Sequence, residues 1–176
     1  ILPSGTERHV NIMNKDGQRI SVFVNPTPDA PDFDYHSLEN AILSSEKVVL
    51  NIVNYARNFI PVLQKHNKEI WTDLHDYDGV STYHQDFIDA AHYVFLSSDN
   101  LVDYRKTMGE IMQTGKKLVV CTHGKKGATA LQADGKWLET PVIKDFTLVD
   151  SNGAGDAFFS GFFYGHCRQY ELEKCM

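Results

Sequence analysis

The run Asp150-Ser-Asn-Gly-Ala-Gly-Asp-Ala-Phe158 holds the residue types from which phosphate chemistry is built. Gly153 and Gly155 permit backbone conformations that turn successive N–H groups into one concavity, an anion-binding nest. A helix is expected from near Ala154 to about Tyr170, and its first-turn amides and dipole add positive character at that end. Phosphate is the natural occupant of such a place. A carboxylate there, that of Asp156, repels phosphate unless it acts on the group attacking it. Phosphoryl transfer needs this layout: donors around the transferred group, and a base within reach of an acceptor hydroxyl. For an isolated G-x-G-D, a glycine-rich loop with a capping Asp is the competing explanation.

The elements that must position these residues read as an α/β chain. His9 to Met13 and Arg19 to Val24 flank Asn14-Lys-Asp-Gly17, a hairpin signal, and the stiff connector Asn25-Pro-Thr-Pro-Asp-Ala-Pro31 follows. Beyond it, short apolar strands are expected at Lys47–Val53, Glu69–Leu74, His92–Ser97 and Leu118–Thr122. Helices are expected at Leu38–Leu43, Asn58–His66, Thr82–Ala91 and, capped by Asp99 or Asn100, onward to about Thr114. This alternation argues for right-handed βαβ crossovers and a mostly parallel sheet flanked by helices. Ala128–Ala133 and Lys136–Thr140 alternate about Asp134-Gly135, a second hairpin. The aromatics Phe158, Phe159, Phe162, Phe163 and Tyr164 are spaced for a mostly buried final helix.

Composition narrows the class. With 17 basic and 23 acidic residues among 176, the net charge of −6 disfavours a broad nucleic-acid surface. No apolar run approaches the roughly 20 residues that span a bilayer, so no membrane role is expected. Three cysteines, Cys121, Cys167 and Cys175, form no C-x-x-C pair and suit reduced thiols in a cytoplasm. The eight histidines show no zinc-ligand spacing, and His123 and His166 read as surface or packing residues. There is no G-x-x-x-x-G-K-[ST], and Gly153-Ala-Gly155-Asp-Ala-Phe158 lacks the third glycine of a dinucleotide fingerprint.

The 150–158 run resembles the C-terminal signature of the ribokinase, or PfkB, family of carbohydrate kinases, D-[ST]-x-G-A-G-D-x-F. The resemblance implies that Asp156 is the catalytic base and that the amides of Gly153, Ala154 and Gly155 form the anion hole. Asn152 stands where the family commonly has Thr. Thr122-His-Gly124-Lys-Lys-Gly127 resembles the family's T-x-G-x-x-G turn, which implies that Thr122, Gly124, Gly127 and Asn152 line the nucleotide site. Asn100-Leu-Val-Asp103 resembles its N-x-x-E element, with a shorter carboxylate, and implies Mg²⁺ held through water by Asn100 and Asp103. Asp150 and the loop Ile143–Phe146 would lie near a monovalent cation such as K⁺. The strand-end run Asp73-Leu-His75-Asp-Tyr77 departs from the family's D-x-N-x-R and is assigned no role.

The implied protein is a ribokinase-like phosphotransferase that uses Mg·ATP to phosphorylate a hydroxyl of a sugar or nucleoside. Residues 1–30 would be part of a β lid with its connector, and 31–176 an incomplete ribokinase-like α/β domain. A lid hairpin leaves a homodimer open. The resemblance covers only the later half of the family's usual chain, and the sequence opens at Ile1 and stops at Met176 inside a helical pattern. An excerpt of a longer protein or a truncated product is therefore expected, inactive on its own. The rival reading is a nucleotide-binding sensor or catalytically inactive kinase-like domain.

Overall fold

The computed structural model describes residues 8–13, 19–25, 35–143 and 150–176. Strands β1 (Arg8–Met13) and β2 (Arg19–Asn25) pair antiparallel, with Val10 opposite Val22 and Ile12 opposite Ile20. The turn expected at 14–17 and the proline connector at 26–31 lie outside the described residues.

A second sheet holds β3 (Lys47–Val49), β4 (Glu69–Asp73), β5 (Tyr93–Ser97), β6 (Leu118–Thr122), β7 (Ala128–Gln132) and β8 (Trp137–Thr140), side by side in chain order. β3 to β6 run parallel, and β6, β7 and β8 pair antiparallel. Helix α1 (Glu39–Ser44) precedes β3, α2 (Ile60–Lys65), α3 (Gln85–Ala90) and α4 (Tyr104–Gln113) occupy the crossovers, and α5 (Ala154–Cys167) and α6 (Leu172–Cys175) follow the sheet. The mostly parallel sheet is as expected.

Alternation along the strands sorts the core into two layers. Ile70, Val94, Leu96 and Val119 pack with Leu63 of α2, Phe87 of α3, and Met108 and Ile111 of α4. Trp71, Tyr93, Phe95 and Val120 pack instead with Phe159 and Phe162 of α5. There Trp71 stacks on Tyr93 at 3.9 Å, and Phe95 meets Phe159 and Phe162 edge-on at 4.8 and 5.0 Å. Such pairs add about 0.5–1.5 kcal/mol each beyond area burial, which pins α5 against β4 and β5.

Several boundaries differ from expectation. β3 stops at Val49 rather than Val53, because the chain turns into a 3-10 segment at Asn54–Phe59 before α2. Helix α4 is capped by Asp103, whose Oδ1 accepts the Lys106 N–H at 3.0 Å, and not by Asp99 or Asn100. Those two are the central residues of a turn closed by the Leu101 N–H, which donates to the Ser98 carbonyl at 3.1 Å. α5 ends at Cys167 instead of Tyr170, where Gln169 adopts a left-handed φ of +59°. Its burial is one-sided, since Phe159 and Phe162 are buried and Tyr164 is exposed.

Candidate active site

Four parallel strands deliver their last residues to the same edge of the sheet, the edge at which α/β folds bind ligands. Asp73 ends β4, and Thr122 ends β6 in register with Ser97 of β5. Period-two alternation puts Asp73 on the same face as Trp71, which is the face covered by α5. α5 presents Asp156, Phe159, Ser160 and Phe163 at helical spacing i, i+3, i+4 and i+7. These four, with Val49, Asn51, Asp73 and His75, line a cleft of about 300 Å³.

Asp156 is exposed but faces that cleft, and ligand-type atoms of Asp73, His75 and Asp156 lie within 4.8 Å of one another. Asp73 is only 18 % exposed. Its Oδ1 accepts the His75 N–H at 2.9 Å, and its Oδ2 lies 3.7 Å from His75 Nδ1. Burial pushes the Asp73 carboxyl up and the negative charge of Asp156 adds to this, while His75 pulls it down. His75 is held at φ +53°, a left-handed conformation that costs energy in a non-glycine residue.

The loop before α5 is organised by its own side chains. Asp150 Oδ1 accepts the Asn152 N–H at 2.8 Å, and its Oδ2 accepts from Asn152 Nδ2 at 3.4 Å. Gly153, at φ +72°, turns the chain into the helix from a left-handed N-cap. Of the three amides expected to bind an anion, that of Ala154 donates to the Ser151 carbonyl at 3.1 Å. Those of Gly153 and Gly155 have no backbone acceptor among the described residues.

In the 122–127 turn, Thr122 Oγ1 donates to the Leu96 carbonyl at 3.5 Å and His123 N–H to the Gly127 carbonyl at 2.8 Å. Gly124 has φ +53°. Gly127, at φ +96°, approaches β8 so closely that a Cβ there would lie 2.0 Å from the Thr140 carbonyl oxygen. Its glycine is a packing requirement. Asn100 Nδ2 donates to the Asp76 carbonyl at 2.8 Å, tying the β5 loop to the β4 loop. Asp103 serves as the cap of α4. Residues 144–146 of the loop expected near a monovalent cation lie outside the described residues. His166 packs on Trp71 at 4.7 Å and on Tyr93 at 5.1 Å, and His123 shares a 2.9 Å hydrogen bond with Thr129, so both have packing partners.

Asp73 and His75 are the residues that motif comparison passed over. The available signal was position: a carboxylate at the C-terminal end of a central parallel strand, in phase with the tryptophan that α5 covers.

A mostly parallel sheet between helices, with a glycine turn and an aspartate opening a helix at the sheet's carboxyl edge, defines a ribokinase-like fold. A family model described as pfkB family carbohydrate kinase matches residues 89–176, and the chain belongs to this family. It is 32% identical over 178 residues to acarbose 7(IV)-phosphotransferase of Actinoplanes sp., covering 98% of this chain and 59% of that protein. Among solved structures it resembles a microbiome-derived acarbose kinase with TM-score 0.84 and 32% identity, covering 98% of this chain and 59% of the other. The adenosine kinase of Sinorhizobium meliloti shares the fold with TM-score 0.77 at 18% identity, over 98% and 57% of the two chains. The chain thus spans about three fifths of the length of these proteins.

Proposed function

We propose that the complete protein containing this chain transfers the γ-phosphoryl group of ATP to a hydroxyl of a sugar or nucleoside. The observation that carries the reading is the start of α5: Gly153 and Gly155 amides with no backbone acceptor among the described residues, and Asp156 turned toward a cleft walled by Asp73. In this reading the two amides hold the transferred group as charge builds on its oxygens, and Asp156 orients the acceptor hydroxyl and takes its proton. A loose transition state asks for that proton late, so positioning is the larger demand on Asp156. The 122–127 turn, with Thr122, Gly124 and Gly127, and Asn152 would border the nucleotide.

Bound Mg²⁺ would neutralise charge on the phosphate oxygens. Asn100 and Asp103 would hold it through its waters, and they fit that outer role. Asp103 uses one carboxylate oxygen as a cap, and Asn100 keeps its carbonyl oxygen as an acceptor. A monovalent cation beside Asp150 would act on the shape of the Gly153 loop, because Asp150 accepts two of the hydrogen bonds that shape it. The three free thiols suit a reducing, cytoplasmic setting. No helix among the described residues is long and apolar enough to cross a membrane.

The test is a transfer screen of the complete protein with Mg·ATP against pentoses, hexoses, oligosaccharides and nucleosides, read by ADP release and product mass. Phosphorylated acceptor is expected. ATP binding with no transfer to any acceptor would favour a nucleotide sensor instead.

A further inference from the structure

One wall of the cleft that Asp156 faces is the segment leaving β3, which contributes Val49 and Asn51. Leu50 is still tied to β4: its N–H donates to the Trp71 carbonyl at 2.8 Å, and its carbonyl accepts from the buried Thr72 Oγ1 at 2.8 Å. Past Leu50 the chain has left the sheet, and its shape needs support from another element. That support comes from the turn before α3, where the Tyr83 hydroxyl donates to the Ile52 carbonyl at 2.7 Å. Arg57, in the 3-10 segment Asn54–Phe59, closes the same link from its other end. Its Nε donates to Asp86 Oδ2 at 2.9 Å, Nη1 to Asn54 Oδ1 and Nη2 to the Tyr83 carbonyl. The guanidinium also lies over the Tyr83 and Phe87 rings, at 4.4 and 4.5 Å. A planar fork serves three acceptors and two rings at once, which an ammonium cannot do. Phe87 is fully buried in the core, so the clasp is seated on α3 at a fixed point.

We propose that Arg57 and Tyr83 form a clasp that fixes the Asn51 wall of the cleft and so places the acceptor hydroxyl before Asp156. The proposal rests on the phosphotransferase reading above. Arg57 and Tyr83 do not line the cleft, so they are positioning residues and not catalytic ones. With the clasp open, the segment past Leu50 keeps short-range bonds of its own, from Val53 N–H to the Asn51 carbonyl and from Ala56 N–H to the Val53 carbonyl, both at 2.9 Å. These bonds shape the segment without holding it to α3. The wall can then shift while Leu50 and the sheet stay in place, a local opening rather than unfolding. A displacement of about 1 Å at such a wall is enough to cost a large factor in productive binding. The 122–127 turn is bonded instead to β5 and β7, through Thr122 to Leu96 and His123 to Thr129. Acceptor binding is therefore the step that feels the clasp, and nucleotide binding is not.

The experiment uses the complete protein, Mg·ATP and the best acceptor from the transfer screen, with two conservative variants. Tyr83→Phe removes the bond to Ile52 and keeps the ring under Arg57, and Arg57→Lys keeps the charge and removes the fork. The acceptor KM is expected to rise by about threefold in Tyr83→Phe and about tenfold in Arg57→Lys, with the KM for ATP within about twofold of wild type. Hydrogen exchange of the amides in 51–57 is expected to quicken by about tenfold in Arg57→Lys, while those of β5 keep their rates. A merely structural role would lower the amount of active enzyme, and with it kcat, and leave both KM values alone. An acceptor KM unmoved in an active variant, or an equal rise in both KM values, overturns the proposal and leaves the phosphotransferase reading standing. If Arg57→Lys does not fold, Tyr83→Phe decides. A wild type that transfers to no acceptor overturns that reading and the positioning role together, and the wild-type assay alone identifies this case.

Discussion

Asp156 is a first-turn carboxylate, and first-turn carboxylates are common helix stabilisers; its neighbours are what support the further task proposed for it. It stands across a cleft from a second carboxylate, close to two glycine amides that have no backbone acceptor among the described residues. Asp156→Asn keeps the shape and the polarity while removing the proton acceptor. In the complete protein we expect kcat to fall by about 10²- to 10⁴-fold, the usual contribution of a general base. Nucleotide affinity, followed by titration with a fluorescent ATP analogue, is expected to stay within a few-fold. Turnover at the wild-type level would remove Asp156 from the mechanism. Ala154 differs from its neighbours: its amide closes the turn onto Ser151, whereas the flanking amides have no backbone acceptor among the described residues.

At the scale of elements, β4 carries structure at one end and the candidate chemistry at the other. At its start, Glu69 accepts from Lys47 at 2.7 Å, from Lys117 at 2.8 Å and from Trp71 Nε1 at 3.2 Å. Burial alone would raise this carboxyl, but those hydrogen bonds and the lysine charges outweigh it and hold it near 2, against an ordinary value of 4.5. The stabilisation is therefore complete above 4.5, and acid removes it as pH falls toward about 2. Urea midpoints measured from pH 6 down to pH 2.5 should drop less steeply for Glu69→Gln than for wild type. Parallel acid limbs would show that Glu69 contributes nothing to the acid sensitivity. How legible β4 was in the sequence follows from the same division. Its run of apolar residues and the strands beside it could be read directly, as could the 150–158 run, because both depend on local periodicity and glycine chemistry. The cap of α4 could not, because Asp99, Asn100 and Asp103 are all competent caps and a turn closed by the Ser98 carbonyl decides among them. The meeting of Asp73 and His75 with Asp156 was also hidden. It is set by sheet order and by the docking of α5, contacts between segments about 80 residues apart.

For the whole molecule, the two sheets differ in how well they cover their apolar residues. The six-stranded sheet is sheltered by helices on both faces, with Ile70, Trp71, Val94, Val119 and Val120 fully buried. On the β1–β2 ribbon, Val10, Ile12, Ile20, Val22 and Val24 are 47–68 % exposed. Cross-strand register aligns Val10 with Val22 and Ile12 with Ile20, so these residues form one continuous stripe rather than scattered contacts. A two-stranded ribbon has little stability by itself, and an apolar stripe of this kind drives association. The isolated 176-residue chain is therefore expected to run above its monomer mass of 19.9 kDa in size exclusion with light scattering. Replacing Ile12 and Val22 by Lys should shift it toward that mass by placing charge on the stripe. Because neither residue belongs to the helix-covered core, the urea transition of the α/β sheet should hold its midpoint within about 0.5 kcal/mol equivalent. A monomeric wild-type chain would mean that the stripe is covered within the chain itself. Association that survives both lysines would assign it to another surface, with the short edge strand β3 and its half-exposed Val49 next in line.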